Sequence, residues 1–234
     1  MKLYYDLHIH SALSPCGDED MTPNNIVNMA HLKGLDIISV TDHNSCGNVR
    51  AVIKAAEGKI KVIPGMEINT REEVHVLAYF PTLEKAEDME RLIKKELIKV
   101  KNDPDIFGRQ LIMDENDEIV GEEEMLLVNA VNLDIYEIQK EVKERGGIFV
   151  PAHIDRSSYS VLSNLGFLPP DLEIDGIEIT EKNFSDLSAM YDRYPLFSSS
   201  DAHYLEDIAE KSRFIDITDK MTKNAKQICV IFSE

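Results

Sequence analysis

Six of the seven histidines in this 234-residue chain fall at or near the ends of short apolar runs. His8 and His10 follow Leu3–Leu7 in Asp6-Leu7-His8-Ile9-His10-Ser11. His43 follows Ile37–Val40, His153 follows Ile148–Val150, and His203 follows Leu196–Ser198. His75 opens an apolar run of its own, within Val74–Phe80. Two acids share the pattern: Glu67 comes just after Lys61–Ile63, and Asp201 precedes His203 by two. Imidazole and carboxylate together suit a divalent ion such as Zn, Mn or Fe. His8 and His10 are two apart on extended chain, so their rings share a side, and Asp201 and His203 repeat that geometry. One such pair arises readily from ordinary polar packing, but the whole set does not. The remaining histidine, His31, sits on a helical stretch about 140° around from Ile26 and is assigned no role.

The elements that must position these residues alternate between strand and helix, the signature of βαβ units and an α/β fold. Strands are expected at Leu3–Leu7, 37–40, 61–63, 74–80, 148–150, 176–179, 196–198, 213–217 and 227–232, with helices between many of them. Thr22-Pro23 opens a helix that Gly34 ends, and Asp134 caps another that stops at Gly146-Gly147. Side chains at the C-terminal ends of parallel strands converge on one site. His75 does not obey that rule, because it begins its strand. Either that strand runs the other way or its boundary lies elsewhere. Residues 81–133 break the alternation with a charged helix from Leu83 and a hairpin around Asp114-Glu115-Asn116-Asp117, and read as an insertion or lid within a single domain spanning 1–234.

Composition is that of a globular protein, with 43% hydrophobic residues. Three scattered cysteines (Cys16, Cys46, Cys229) argue against a disulfide framework. No apolar run reaches the roughly 18–20 residues that span a bilayer, and the N-terminus has no signal-peptide pattern, so a cytoplasmic protein without a membrane partner is expected. A net charge of −18 repels nucleic-acid backbone. On that ground nucleic acid is not expected as a partner.

The segments Asp6-Leu7-His8-Ile9-His10-Ser11, Thr41-Asp42-His43, Gly65-Met66-Glu67, His75, Ala152-His153 and Ser200-Asp201-Ala202-His203 resemble, in content and order, the four motifs of the PHP (polymerase and histidinol phosphatase) family. The resemblance implies a distorted (β/α)7 barrel with two or three divalent metal ions at its mouth. It implies that His8, His10, Glu67 and Asp201 hold one metal. Glu67 bridges to a second with His75 and His153, and His43 and His203 hold a third. The third site takes a further ligand from the loop Ser14-Pro15-Cys16-Gly17-Asp18-Glu19-Asp20, which is longer than the family's common form. Asp18 is the first choice, Asp20 the second, and Cys16 a soft alternative. Arg156 matches an arginine that meets substrate phosphate in the family, and a surface salt bridge to Asp155 or Glu181 is the competing reading. The implied activity is hydrolysis of a small phosphoester by a metal-activated water, with His203 or His43 giving a proton to the leaving oxygen. A metal-dependent hydrolase of another bond and a metal-binding regulatory module are the alternatives. Glu178 reads as a structural acid.

Overall fold

The computed structural model describes residues 1–216. The expected strand at 227–232 and Cys229 lie outside them. Among the described residues, two sheets carry the site. The first joins β1 (Lys2–Ile9), β2 (Ile37–Val40) and β3 (Lys61–Val62) in parallel, with β1 flanked on its other edge by an antiparallel strand near the chain's end. The second is wholly antiparallel: β4 (Gly65–Asn69), β5 (His75–Tyr79) and a third strand at Ile148–Pro151. Between these last two the chain forms a separate hairpin, β6 (Leu111–Met113) with β7 (Ile119–Glu122), so the third strand is β8. A short parallel pair, β9 (Ile177–Glu178) and β10 (Leu196–Phe197), follows, and the edge strand on β1 is β11 (Phe214–Asp216).

Helices cover the outside: α1 (Pro23–Leu32), α2 (Val49–Ala55), α3 (Leu83–Glu96), α4 (Pro104–Phe107), α5 (Ile135–Glu144), α6 (Val161–Leu165) and α7 (Phe184–Leu187). Thr22 caps α1 through a side-chain bond from the Asn25 amide, with Pro23 in the first turn. Asp134 and Glu137 form a reciprocal capping box on α5. Tyr5, Leu7, Ile37, Ile63, Leu77, Val150 and Phe197, drawn from both main sheets, meet in a shared inner core. A second core packs α1 and α2 on β1 and β2, and a third packs α3 and α5 against β4, β5 and β8.

The distorted (β/α)7 barrel that the resemblance implies is not confirmed, and the described sheets do not close into a barrel. Among the described residues, isolated bridges such as His43 with Glu67 and Ile9 with Ala202 link strand ends. The reason is local. Residues 70–74 turn β4 directly back on β5, with Glu73 at φ 57°, so no helix intervenes and strand direction reverses. That reversal also accounts for His75. On an antiparallel strand its N-terminal end lies beside Asn69, at the C-terminal end of β4. Glu67 sits within β4, a strand that the Pro64-Gly65 break conceals in the sequence.

β1 contains a register shift between Asp6 and Ile9. Tyr5 and Leu7 face the inner core while Ile9 packs toward α1. A bulge exchanges which face successive residues occupy, and here it lets both Leu7 and His8 point inward. Two fully buried aspartates bind the loops at this end. Asp6 accepts from the Ser200 amide (3.0 Å) and hydroxyl (2.6 Å) and from the Ala209 amide (2.9 Å). Asp42 accepts from the Ser11 amide (2.7 Å), the Ser11 hydroxyl (2.6 Å) and the Ser14 hydroxyl (2.7 Å).

Asp42→Ala leaves those three buried donors unpaired, at about 1–3 kcal/mol each. A loss of about 3 kcal/mol or more is expected in urea unfolding, with the m-value unchanged, and Asp42→Asn loses less because it keeps an acceptor. A loss under about 1 kcal/mol for the alanine variant would show that this aspartate is not the anchor of the loops.

Candidate metal centre

The strand ends deliver eight of the sequence-predicted residues to one buried cluster. His8 comes from β1 and His10 from just beyond it, His43 from the loop after β2, Glu67 from β4, His75 from β5 and His153 from the turn after β8. Asp201 and His203 come from the loop after β10. His153 (φ 27°) and Asp201 (φ 53°) both hold left-handed backbone, a strain of the order of 1–3 kcal/mol each that persists where surrounding structure imposes it. His31 lies exposed on α1 and takes no part.

Glu67, 1% exposed, is the hub. Its Oε1 lies 3.0 Å from His75 Nδ1, 3.2 Å from His153 Nε2 and 3.4 Å from His8 Nε2. Its Oε2 lies 3.0 Å from His43 Nδ1 and 3.5 Å from His10 Nε2. Beside it, Asp201 Oδ1 is 3.2 Å from His8 Nε2 and 3.1 Å from His10 Nε2.

The imidazoles are oriented from behind, by the side chains of Glu178 and Ser14, to which the sequence reading gave no role at the site, and by the backbone of Asp201. His8 Nδ1 donates to the Glu178 carboxylate at 3.0 Å, and Glu178 also accepts the His153 amide. His10 Nδ1 donates to Ser14 Oγ (2.9 Å), whose hydroxyl donates in turn to Asp42. His203 Nδ1 donates to the Asp201 carbonyl at 2.8 Å. In each case the second nitrogen, Nε2, is left to face inward, the arrangement by which outer partners fix a metal-binding tautomer. The signal for Glu178 in the sequence was only its place on a strand beside other site strands.

The charge state reflects this crowding. Burial opposes charge on His8, but Asp201, Glu178 and Glu67 together raise its pKa well above the ordinary imidazole value. Burial and the neighbouring His43 and His203 hold His10 down, to about 3. Burial also opposes ionisation of Glu67, yet His75, His8 and His43 keep its carboxyl well below the usual range. His43 and His203 are raised, both against burial: His43 chiefly by Glu67, His203 chiefly by Cys16.

His8 Nε2 and His10 Nε2 face each other at 3.2 Å, and His153 Nδ1 is buried with no hydrogen-bond partner. Convergent nitrogen lone pairs with two carboxylates fit divalent cations. Three donor groups, each with ligand atoms within 4.8 Å of one another, could hold them: His8, His10 and Asp201; His43, Glu67 and His75; and His10, Cys16, His43 and His203. Of the loop candidates, Cys16 reaches the third group. The Asp18 carboxylate instead accepts the Asp20 amide at 2.9 Å, and Asp20 is exposed. Burial opposes ionisation of the Cys16 thiol, but hydrogen bonds with His203 and His43 bring its pKa down to about 7.

The cluster floors a cavity of about 460 Å³, walled by Phe107, Leu126, Val128, Arg156 and Tyr159. Arg156 is half-exposed and pairs with Asp201 Oδ2 at 2.5 Å, whereas Asp155 is engaged by Thr180 and Asn183. Residues 126–130 reach the cavity because Asn44 donates to the Leu127 and Asn129 carbonyls and Asn69 to Val128. No described helix is long and apolar enough to cross a membrane.

The PHP domain family profile matches residues 6–137. An uncharacterized protein of Methanocaldococcus jannaschii is 26% identical over 190 residues, 80% of this chain but 21% of that protein. The lesion-specific endonuclease Q of Pyrococcus furiosus has a similar fold (TM-score 0.69, 21% identity), covering 100% of this chain and 57% of that one. Endonuclease Q bound to a 27-mer duplex with an abasic lesion at its active site gives a TM-score of 0.64 at 22% identity over 88% of this chain and 50% of that one. A proposed metal-dependent phosphoesterase from Bifidobacterium adolescentis gives 0.63 at 17% identity, covering 97% and 96%. The chain thus spans a fifth of the archaeal relative and little more than half of endonuclease Q. The endonuclease Q complex overturns the expectation that nucleic acid is excluded. A charge summed over the whole chain does not describe the field inside a cleft that gathers cations. Family and cluster together indicate a metal-dependent hydrolase. With the motifs in order and the profile matching more than half of its length, the chain belongs to the PHP domain family.

Proposed function

We propose that this protein hydrolyses phosphoesters, with a nucleotide unit, free or within a nucleic acid, as the substrate class. The observation that carries the reading is Arg156 at the wall of the cavity whose floor is the imidazole–carboxylate cluster. His8, His10, Glu67 and Asp201 hold one divalent cation; Glu67, His75 and His153 hold a second. Bound cations supply Lewis acidity and make water acidic enough to attack at neutral pH. Arg156 exchanges its Asp201 partner for phosphoryl oxygens, which its planar fork meets in pairs. With two cations bound, His203 at the cavity wall carries the proton for the leaving oxygen, and His43 behind it is the alternative donor.

The nucleotide reading rests on size and on two rings. Phe107 and Tyr159 are 43% and 46% exposed, and both line the cavity. Tyr159 stacks on His75 with centroids 4.8 Å apart, which holds it flat to receive a base. Endonuclease Q supports a nucleic-acid substrate by likeness of fold. The B. adolescentis protein supports phosphoester chemistry in the same way.

A panel of bis(p-nitrophenyl) phosphate, dinucleotides and duplexes with and without an abasic site, assayed with Mn or Zn, tests the proposal. Turnover that chelator, His8→Ala and Glu67→Gln each abolish is expected. A metal-loaded protein inert toward the whole panel but active on an amide or lactone would replace it with the other-bond reading. Arg156→Ala should lose about 10- to 150-fold in kcat/KM, the equivalent of about 1.5–3 kcal/mol for a contact to a charged group, with metal content at saturation unchanged. Unaltered kinetics would leave Arg156 only its pairing with Asp201.

Cation uptake should also move protons. His8 titrates well above the ordinary imidazole value in the metal-free protein, so near neutral pH it holds a proton that a cation must displace. Uptake therefore releases protons, and affinity weakens as pH falls. Calorimetry in two buffers of different ionisation enthalpy reads this directly, and identical apparent enthalpies in both would contradict it.

A further inference from the structure

We propose that Cys16 is a thiolate ligand to a third cation, shared with His43 and His203, and that it makes this position select a thiophilic divalent metal such as zinc over manganese or magnesium. The proposal rests on the metal-dependent reading above and concerns one position within it.

The geometry leaves few other choices. Cys16, His43 and His203 each offer an atom within 4.8 Å of the others. His203 has spent Nδ1 on the Asp201 carbonyl, so Nε2 is the nitrogen it has to offer. His43 is 6% exposed, and its Nδ1 makes no well-directed hydrogen bond, although Glu67 Oε2 lies 3.0 Å away. His10 falls within the same radius, but its Nε2 is turned to His8 and Asp201 at 3.2 and 3.1 Å. Cys16 is exposed at the rim, but of the loop's possible ligands it is the one whose donor atom falls in this group; Asp18 accepts the Asp20 amide instead.

The loop is also built to hold the sulfur there. The Gly17 amide donates to the Ser14 carbonyl and the Asp18 amide to the His203 carbonyl, both at 2.9 Å. Cys16 is thus pinned from its C-terminal side to the very residue it would share a metal with. On its N-terminal side, Pro15 is backed by Gly108, where a Cβ would come within 2.2 Å of the Pro15 carbonyl oxygen. A tetrahedral zinc with bonds of about 2.3 Å to sulfur and 2.0–2.1 Å to nitrogen holds its ligand atoms closer together than 4.8 Å, so the site closes by a small inward movement of side chains. On binding, the thiol gives its proton to solvent and the sulfur forms the bond to the metal. A thiolate favours zinc, cobalt or ferrous iron, whereas carboxylate at the same place would suit manganese or magnesium.

Cobalt substitution decides the matter without reference to turnover. The purified full chain loaded with Co2+ should show a near-ultraviolet sulfur-to-cobalt charge-transfer band. Cys16→Ser should lose the band and weaken the last metal equivalent by more than about tenfold, the loss already common for removing an outer partner. Cys16→Asp should recover that equivalent without the band and shift its preference from zinc toward manganese. In the parent protein zinc should protect Cys16, but not Cys46, from alkylation read by peptide mass. A cobalt-loaded parent without the band, or a band that survives Cys16→Ser, overturns the thiolate while leaving the two-cation hydrolase intact. A parent that takes up no cobalt at all overturns both.

Discussion

Five imidazoles crowd around one buried carboxylate, and a cluster of that density cannot be left to find its own arrangement. Glu67 is sealed from solvent with His8, His10, His43, His75 and His153 all within 3.5 Å of its oxygens. Without positive charge in their midst, Glu67 and Asp201 would be uncompensated acids in a low-dielectric interior, and several kcal/mol per ion would stand against folding. Protons on His8 and His43 answer this in the metal-free protein, and cations answer it in the loaded one. The surrounding structure follows from that need. Glu178, Ser14 with Asp42, and the Asp201 carbonyl each take one nitrogen of a ring so that the other cannot turn away from the centre. Two wholly buried aspartates, Asp6 within β1 and Asp42 just after β2, bind the loops that carry Asp201 and Ser14.

Much of this was legible in the sequence because strand-end chemistry leaves a linear trace. Each histidine of the cluster but one follows an apolar run, and the acids stand at matching places. The parts that were not legible depend on direction and register. A hairpin between β4 and β5 carries no Asn-Gly or Gly-Gly signal, since its left-handed residue is Glu73, so only the odd place of His75 hinted that one strand runs the other way. Pro64-Gly65 reads as a stop, yet Gly65 is the first residue of a strand. Its absent Cβ is needed there, because one would come 2.7 Å from Ser39 Oγ. The orienting partners were invisible for a different reason. Serine, aspartate and glutamate near a site are common, and only their position behind a particular ring distinguishes them. The loop ligand was ambiguous because Cys16, Asp18 and Asp20 lie close together in sequence, and turn geometry decides which of them faces inward.

The region 81–133, expected as an insertion or lid, is tied into the main body. Ala86, Met89 and Ile93 of α3 are fully buried in the core that α5 and β5 share. Gln110 reaches across to the carbonyls of Glu123 and Met125, and Asn48 donates to the Leu111 carbonyl and accepts the Met113 amide. What the region contributes to the cavity is one exposed ring, Phe107, and the strip 126–130. The strip is set by hydrogen bonds to Asn44 and Asn69, residues adjoining the motifs themselves. The composition of the wall can therefore change without disturbing the cluster beneath it, as the separation of binding surface from reacting centre requires.

The register shift in β1 makes the count of residues there matter as much as their identity. Along a regular strand the parity that buries Tyr5 and Leu7 would send His8 and His10 out among the helices, and the extra residue between Asp6 and Ile9 turns them back. A substitution at this stretch trades one contact for another, but a single-residue deletion or insertion would invert everything that follows it. Drift is therefore constrained in an asymmetric way: apart from Asp6 and His8, side chains along the first strand can vary wherever packing permits, while its length is held fixed.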